Sequence, residues 1–228
     1  MAGLQAFGKN ATMILSDEDL ARELAALALV DPALGPVIAA AGTVPLRQTP
    51  GGLKGLAGVL VGQQVSRASA AAIFGRLETL IDLDDPAAIL EATEADFRAA
   101  GMSRGKQETL LGIASACLSG ALDFERMARG EPAAAIAELT ALRGIGAWTA
   151  ECFLLFSAGH PDIFPAGDLA LQVAVAEALG WPARPKEKAL AALAARWAPH
   201  RSAAARLFWA YYAAVNRRDA TPAAAIPG

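Results

Sequence analysis

Residues 142–150 read LRGIGAWTA: two glycines flank an isoleucine and a tryptophan follows, in a chain otherwise rich in alanine and leucine. Glycine is about 1 kcal/mol worse than alanine in a helix interior, so two of them here trade helix for a turn. A helix, a tight G-I-G turn and a second helix make a helix-hairpin-helix. Gly144 suits a left-handed backbone position that closes the turn. Gly146 stands where the next helix begins, and amides there can point at an anion with no Cβ in the way. The plainer reading is a helix C-cap followed by the start of a new helix. If the turn does hold a phosphate with backbone dipoles, it needs few basic side chains.

Composition sets the frame around that turn. The 228 residues suffice for one large domain or two small ones with a real core. Hydrophobic residues make up 54% and aromatics 6%. Close-packed helices fit that mixture better than sheets, which favour β-branched and aromatic residues. Cys117 and Cys152 are far apart with no CxxC, which excludes a zinc ribbon, a cysteine-ligated iron–sulfur cluster and a disulfide framework. His160 and His200 are the two histidines, read as surface loop residues rather than catalytic bases. No basic n-region opens the chain and no apolar run nears ~20 residues, so neither a signal peptide nor a membrane span is expected, and the setting is cytoplasmic.

The net charge of −3 at first argues against a polyanion partner, but its distribution is uneven. Residues 77–97 hold seven acids and no Lys or Arg, and residues 188–218 hold six bases and no acid. These are either ordinary solvated helix faces or a bipolar molecule with one face suited to phosphate.

Helix starts are well marked. Ser16 with Asp19 resembles a capping box, and Asp31-Pro32 reads as N-cap and first residue of a helix ending near Gly42. TVPLRQTPGG (43–52) is a Pro/Gly loop and the best domain boundary. Apolar-periodic segments follow at about 53–64 and 66–80, then short helices after Asp85-Pro86 and after Thr93, and a longer one over about 103–118. The hairpin occupies about 132–158, Asp168 opens a helix to Leu179, and helices cover about 185–197 and 201–216. With no strand in view, the fold class is all-α.

The 30 residues LRGIGAWTAECFLLFSAGHPDIFPAGDLAL (142–171) resemble the helix-hairpin-helix, Gly/Pro loop and aspartate signature of base-excision DNA glycosylases, and within them the DNA-3-methyladenine glycosylase II (AlkA-like) branch. LVGQQVS (60–66), GMSRGKQETLLGIASACLSGALDF (101–124) and RSAAARLFWAYY (201–212) extend the likeness over most of residues 50–215. It implies a monofunctional glycosylase that flips alkylated bases such as 3-methyladenine out of damaged double-stranded DNA and hydrolyses the N-glycosidic bond. The alternative is a non-catalytic hairpin module that only binds DNA.

Residue by residue, Asp168 matches the family's catalytic aspartate, although GDLALQ alone is an ordinary Asp N-cap. A helix N-terminus favours a carboxylate anion, which suits the positive charge that builds on the sugar. Asp162, six residues earlier, reads as a loop residue. Trp148 stands where strand-cutting relatives carry a lysine, and an indole forms no Schiff base; a core Trp is the competing reading. Trp209 matches a pocket tryptophan that would stack on a flipped cationic base, while Phe208 reads as core. Cys152 replaces an aromatic of some relatives, which predicts a wider pocket and a broader substrate range.

Gln64 falls where relatives fill the gap left by the flipped nucleotide, with helix capping as the equal alternative. Phosphate contacts are expected from the amides of Gly144 and Gly146, with Thr149 nearby, and from Arg104 and Lys106. The carbonyls of Thr140, Leu142 and Ile145 holding Na+ or K+ are implied by the family alone, and no other cofactor is expected.

The resemblance further implies a monomer of two helical lobes meeting DNA at the cleft between them. One lobe combines residues 17–51 with 167–218, the other is the bundle 52–166, and residues 1–16 and 219–228 are a flexible start and a frayed tail. The N-terminal sheet domain of some relatives is expected to be missing. The acidic 77–97 stretch should face away from DNA and the basic 188–218 stretch should flank it.

Overall fold

A computed structural model describes residues 12–216, and among them no strand forms. The chain opens with α1 (Asp17–Val30), a 3-10 turn (Pro32–Leu34) and α2 (Gly35–Ala41). Then come α3 (Gly52–Gly62), α4 (Arg67–Leu80), α5 (Pro86–Glu91), α6 (Glu94–Ala100), α7 (Arg104–Leu118), α8 (Phe124–Arg129), α9 (Pro132–Thr140) and α10 (Ala147–Cys152). A π turn (Phe153–Ser157) continues α10. The chain ends its described part with α11 (Leu169–Ala178), α12 (Glu187–Ala194), a 3-10 turn (Ala195–Trp197) and α13 (Arg201–Asn216). No single helix among the described residues is long and apolar enough to cross a membrane.

Two compact units result: residues 49–158 form one, and residues 12–48 with 159–216 form the other. The first is organised by α3, in which every residue from Leu53 to Gly62 except Lys54 is buried. A helix apolar on all sides belongs in a core, and α4, α7 and the π turn pack around it. The second unit is organised by α13, buried without interruption from Ser202 to Ala210 and packed on α1, α2 and α11. Runs of alanine in α13 let these neighbours approach closely, while Phe164, Trp197 and Phe208 fill the remaining volume with ring centroids 5.1–5.4 Å apart.

Local caps form where the sequence places them. Ser16 Oγ accepts from the Asp19 amide at 3.1 Å, and Thr93 with Asp96 closes a full capping box on α6. Ser16→Ala is expected to cost about 1 kcal/mol, the usual worth of an N-cap, read by urea unfolding; no loss would mean that the cap is idle. The Asp19 carboxyl is held below its ordinary range, chiefly by the Ser16 hydroxyl. Its contribution is therefore complete above that ordinary range and fades as pH falls through the lowered value.

Long-range pairing overrides several local readings. Residues 12–16 are not a loose lead-in: the Thr12 amide donates to Glu23 Oε1 at 2.7 Å and the Ile14 amide to the Gly159 carbonyl at 2.8 Å. Asp31 caps nothing with its side chain and instead accepts from Trp197 Nε1 at 3.0 Å. Both histidines are buried, at 0% and 3% exposure, not on the surface. His160 Nδ1 accepts from the Asp162 amide at 3.0 Å, and His200 Nδ1 pairs with Glu23 Oε2 at 2.6 Å. Residues 159–166 join the unit built from both chain ends because Ser202 Oγ and Arg201 hold His160, Ile163 and Asp162.

The basic run 188–218 is not a phosphate face as a whole. Arg196 pairs with Asp31 at 3.3 Å and Arg201 with Asp162 at 2.5 Å. Arg206 is buried, its Nε donating to the Leu46 carbonyl at 3.1 Å, and burial pushes its pKa down to about 9. Arg217, Arg218 and the 219–228 tail lie outside the described residues.

Candidate functional site

In the unit of residues 49–158, α9 and α10 flank the G-I-G turn, and the two glycines are there for different reasons. Gly144 has φ +88°, and a Cβ on it would stand 2.1 Å from Thr109 Oγ1, so both backbone shape and packing demand glycine. Gly146 has φ −89° and ψ 170° as the N-cap of α10, and a Cβ there would meet nothing within 4 Å. Nothing inside the fold requires glycine at 146, so the reason must be sought outside it. Ile145, between them, is buried and anchors the turn.

Beside the turn, α3 is followed by Gln63, its C-cap, and Gln64. Gln64 is exposed with φ +56°, a conformation that a non-glycine residue adopts at a cost. Gln63, which nothing in the string distinguishes from its neighbour, donates from Nε2 to Thr149 Oγ1 at 2.9 Å and to the Gly144 carbonyl at 3.3 Å. Thr149 is buried and serves this clamp, not the surface. Lys106 is likewise spent internally: its Nζ donates to the Val61 and Gln63 carbonyls at 2.8 and 2.7 Å, and burial lowers its pKa. The cations that do face solvent here are Arg104 and Arg143, with side chains 89% and 88% exposed and Glu108 within 3.4 and 3.2 Å.

On α10, Trp148 is half-buried and Cys152, one turn on, is 2% exposed. The π turn that begins at Phe153 keeps residues 153–157 buried and sets Phe153 on Phe124 with centroids 5.4 Å apart. Among the described residues no group of three or more His, Cys, Asp or Glu could hold a metal ion. At the hairpin the Leu142 carbonyl accepts from the Ile145 amide at 3.1 Å. A carbonyl oxygen has two lone pairs, so this bond leaves Leu142 one for an alkali cation, and an oxygen-only donor set suits Na+ or K+.

In the other unit, Asp168 is the N-cap of α11. Its Oδ1 accepts from the Leu171 amide at 2.9 Å and from Trp209 Nε1 at 3.3 Å. Trp209 is 1% exposed on α13, so the donor is fixed by the core, while Asp168 is half-buried between exposed Gly167 and Leu169. Gln172, one turn along α11, donates from Nε2 to the Ala166 carbonyl at 2.8 Å and accepts from Arg184 Nη1 at 2.9 Å. The carboxylate thus sits on a turn pinned from the helix that it caps. Asp162 is tied to Arg201, consistent with a loop role.

Helix, glycine turn and second helix place the chain among the helix-hairpin-helix proteins. It belongs, more narrowly, to the HhH-GPD superfamily of base excision DNA repair proteins, whose family model matches residues 57–200. DNA-3-methyladenine glycosylase 1 of Schizosaccharomyces pombe is 32% identical over 154 residues, which cover 64% of this chain and 66% of that protein. A Mycobacterium tuberculosis protein described as a probable bifunctional transcriptional activator/DNA repair enzyme AlkA is 43% identical over 95 residues, only 17% of its length. Among solved structures, a Bacillus halodurans DNA-3-methyladenine glycosidase superposes with TM-score 0.76 at 30% identity, covering 93% of this chain and 97% of that one. A Schizosaccharomyces pombe 3-methyladenine DNA glycosylase in complex with abasic DNA gives TM-score 0.70 at 26% identity, with 84% and 95% covered.

Proposed function

We propose that the protein is a monofunctional DNA glycosylase for alkylated purines, acting as a monomer in the cytoplasm on damaged double-stranded DNA. The observation that carries the reading is Asp168, a carboxylate fixed by the start of α11 and by the Trp209 indole. An alkylpurine such as 3-methyladenine in DNA is cationic. Its glycosidic C–N bond breaks with the electron pair passing to the base, which leaves neutral and needs no general acid. Positive charge then grows on the deoxyribose, and the Asp168 carboxylate stabilises it and orients the water that adds to C1′ and loses its proton. The relatives named as 3-methyladenine glycosylases support this choice of substrate.

Hairpin residues would carry the DNA. The amides at Gly144 and Gly146 face a phosphate, with Arg104 and Arg143 beside them, and Gln64 fills the space vacated by the flipped nucleotide. Flipping costs a few kcal/mol, which a residue already held in a left-handed conformation helps to recover. Thr140, Leu142 and Ile145 would hold Na+ or K+ by their carbonyls, adding positive charge near the phosphate. Trp148 offers no amine for a Schiff base, so strand cleavage is not part of the activity.

A duplex carrying one alkylated base tests the reading. After incubation with the protein, strand breaks are expected only once alkali has cleaved the abasic site; breaks without alkali, or none with it, would contradict it. The thiol at Cys152 adds a further expectation: with a ring in its place, the range of bases narrows. Cys152→Phe should lower release of bulkier alkylpurines relative to 3-methyladenine by about ten-fold, at an overpacking cost of about 1–3 kcal/mol. An unchanged ratio of released bases would remove Cys152 from the pocket.

A further inference from the structure

We infer that the segment of residues 180–188, GWPARPKEK, a loop running into the first turn of α12, is a second DNA-backbone contact that lies beside Asp168 and is separate from the hairpin. The inference rests on the glycosylase reading for its partner and on three local observations for its place. The loop is joined to the turn before Asp168 through Arg184, whose Nη1 donates to Gln172 Oε1 at 2.9 Å while Gln172 Nε2 donates to the Ala166 carbonyl at 2.8 Å. It touches the same turn again at Gly167, where a Cβ would stand 3.5 Å from the Glu187 carboxylate. The side chains it presents to solvent are the third observation: Trp181, a large indole left 38% exposed, and the exposed Lys186 and Lys188.

Charge separates this loop from its surroundings. Of the basic residues that follow it, Arg201 and Arg206 are taken up by Asp162 and by the Leu46 carbonyl, and Arg196, its side chain 61% exposed, pairs with Asp31. Lys186 and Lys188, with exposed Arg184 in the same segment, are therefore cations of this region that a phosphate can reach, and the two lysines flank the single acid Glu187, which is turned toward Gly167. Gly167 and Leu169, on either side of Asp168, are exposed as well, so the segment and the carboxylate share an accessible surface of this unit. Two ammonium groups and a partly exposed indole suit a phosphodiester backbone, with the ring lying against a deoxyribose. Gly180 at φ +65° and the bond from the Trp181 amide to the Ala176 carbonyl, 2.8 Å, set where the loop leaves α11.

Binding of a fluorescent duplex with a tetrahydrofuran abasic analogue, measured across salt concentrations, tests this directly. Each phosphate contact contributes about 0.9 to the slope of log affinity against log salt. K186Q/K188Q should reduce the slope by about 1.8 and weaken binding about ten-fold or more near 0.1 M salt, with thermal unfolding unchanged. W181A should weaken binding several-fold with the slope intact. An unchanged slope in K186Q/K188Q overturns the loop as a backbone contact, and unchanged affinity in W181A overturns the indole's part. If the parent binds the duplex yet releases no base, the glycosylase reading fails while the slope still decides the loop.

Discussion

Asp168→Asn is expected to lower the rate of base release by about 10²-fold or more while leaving the fold and abasic-duplex affinity close to those of the parent. The substitution separates two jobs held by one side chain. Asparagine is as good an N-cap as aspartate, and its side-chain oxygen can still accept from the Leu171 amide and Trp209 Nε1, so the turn on α11 persists. Only the negative charge is lost, with about 0.3–1 kcal/mol of helix-dipole stabilisation. A 10²-fold change in rate corresponds to about 2.7 kcal/mol at the transition state, too large to arise from the cap. Asp168→Ala, which removes charge and cap together, should add about 1 kcal/mol of destabilisation without a further comparable loss of rate. Release by Asp168→Asn within a few-fold of the parent would mean that another group supports the departing base.

The second large effect belongs to the hairpin. Gly144→Ala must place a Cβ 2.1 Å from Thr109 Oγ1 and 3.0 Å from Thr109 Cγ2, at φ +88°. Thr109 is buried, and its hydroxyl is tied to the Gly105 carbonyl at 2.9 Å, so it cannot turn aside freely. Left-handed strain of about 1–2 kcal/mol and overpacking of about 1–3 kcal/mol put the cost at roughly 2–5 kcal/mol in urea unfolding. Thr109→Ala in the same chain removes the two nearest atoms and should recover the steric part, leaving the strain. Gly146→Ala should behave in the opposite way. Its Cβ meets nothing within the protein, so stability changes by under ~1 kcal/mol, yet duplex affinity falls about ten-fold because the new methyl stands between amide and phosphate. A stable Gly144→Ala, or a Gly146→Ala that binds DNA like the parent, would contradict this division of roles.

What could be read from the sequence is what short-range chemistry determines. Ser16 with Asp19, Thr93 with Asp96 and Asp168 with Leu171 each act across three residues, so the cap is visible in the string itself. The G-I-G turn is legible for the same reason. Helix α8 is less legible: Asp123 caps it across three residues, but its six residues show no period and, unlike α5, no proline marks its first turn. Pairings made by packing were also hidden. His200 meets Glu23 across 177 positions and Trp197 meets Asp31 across 166, so three polar residues that look like surface, Glu23, Asp31 and His200, become core. The site suffered similarly: Lys106 and Thr149 read as phosphate ligands because they are polar and near the motif, but α3 ends between them and takes both. Gln63 differs from Gln64 in the sequence only by one place. The fold separates an inward clamp from an outward tip.

The measurement that bears most directly on the central claim is the chromatographic identification of bases freed by the purified protein from methylated duplex DNA, with protein in excess. Release of 3-methyladenine and related alkylpurines by the parent chain, lost in Asp168→Asn, is the expected result. No free base from DNA that the protein nonetheless binds would contradict it, and would leave a helix-hairpin-helix module that grips DNA without cutting its glycosidic bonds.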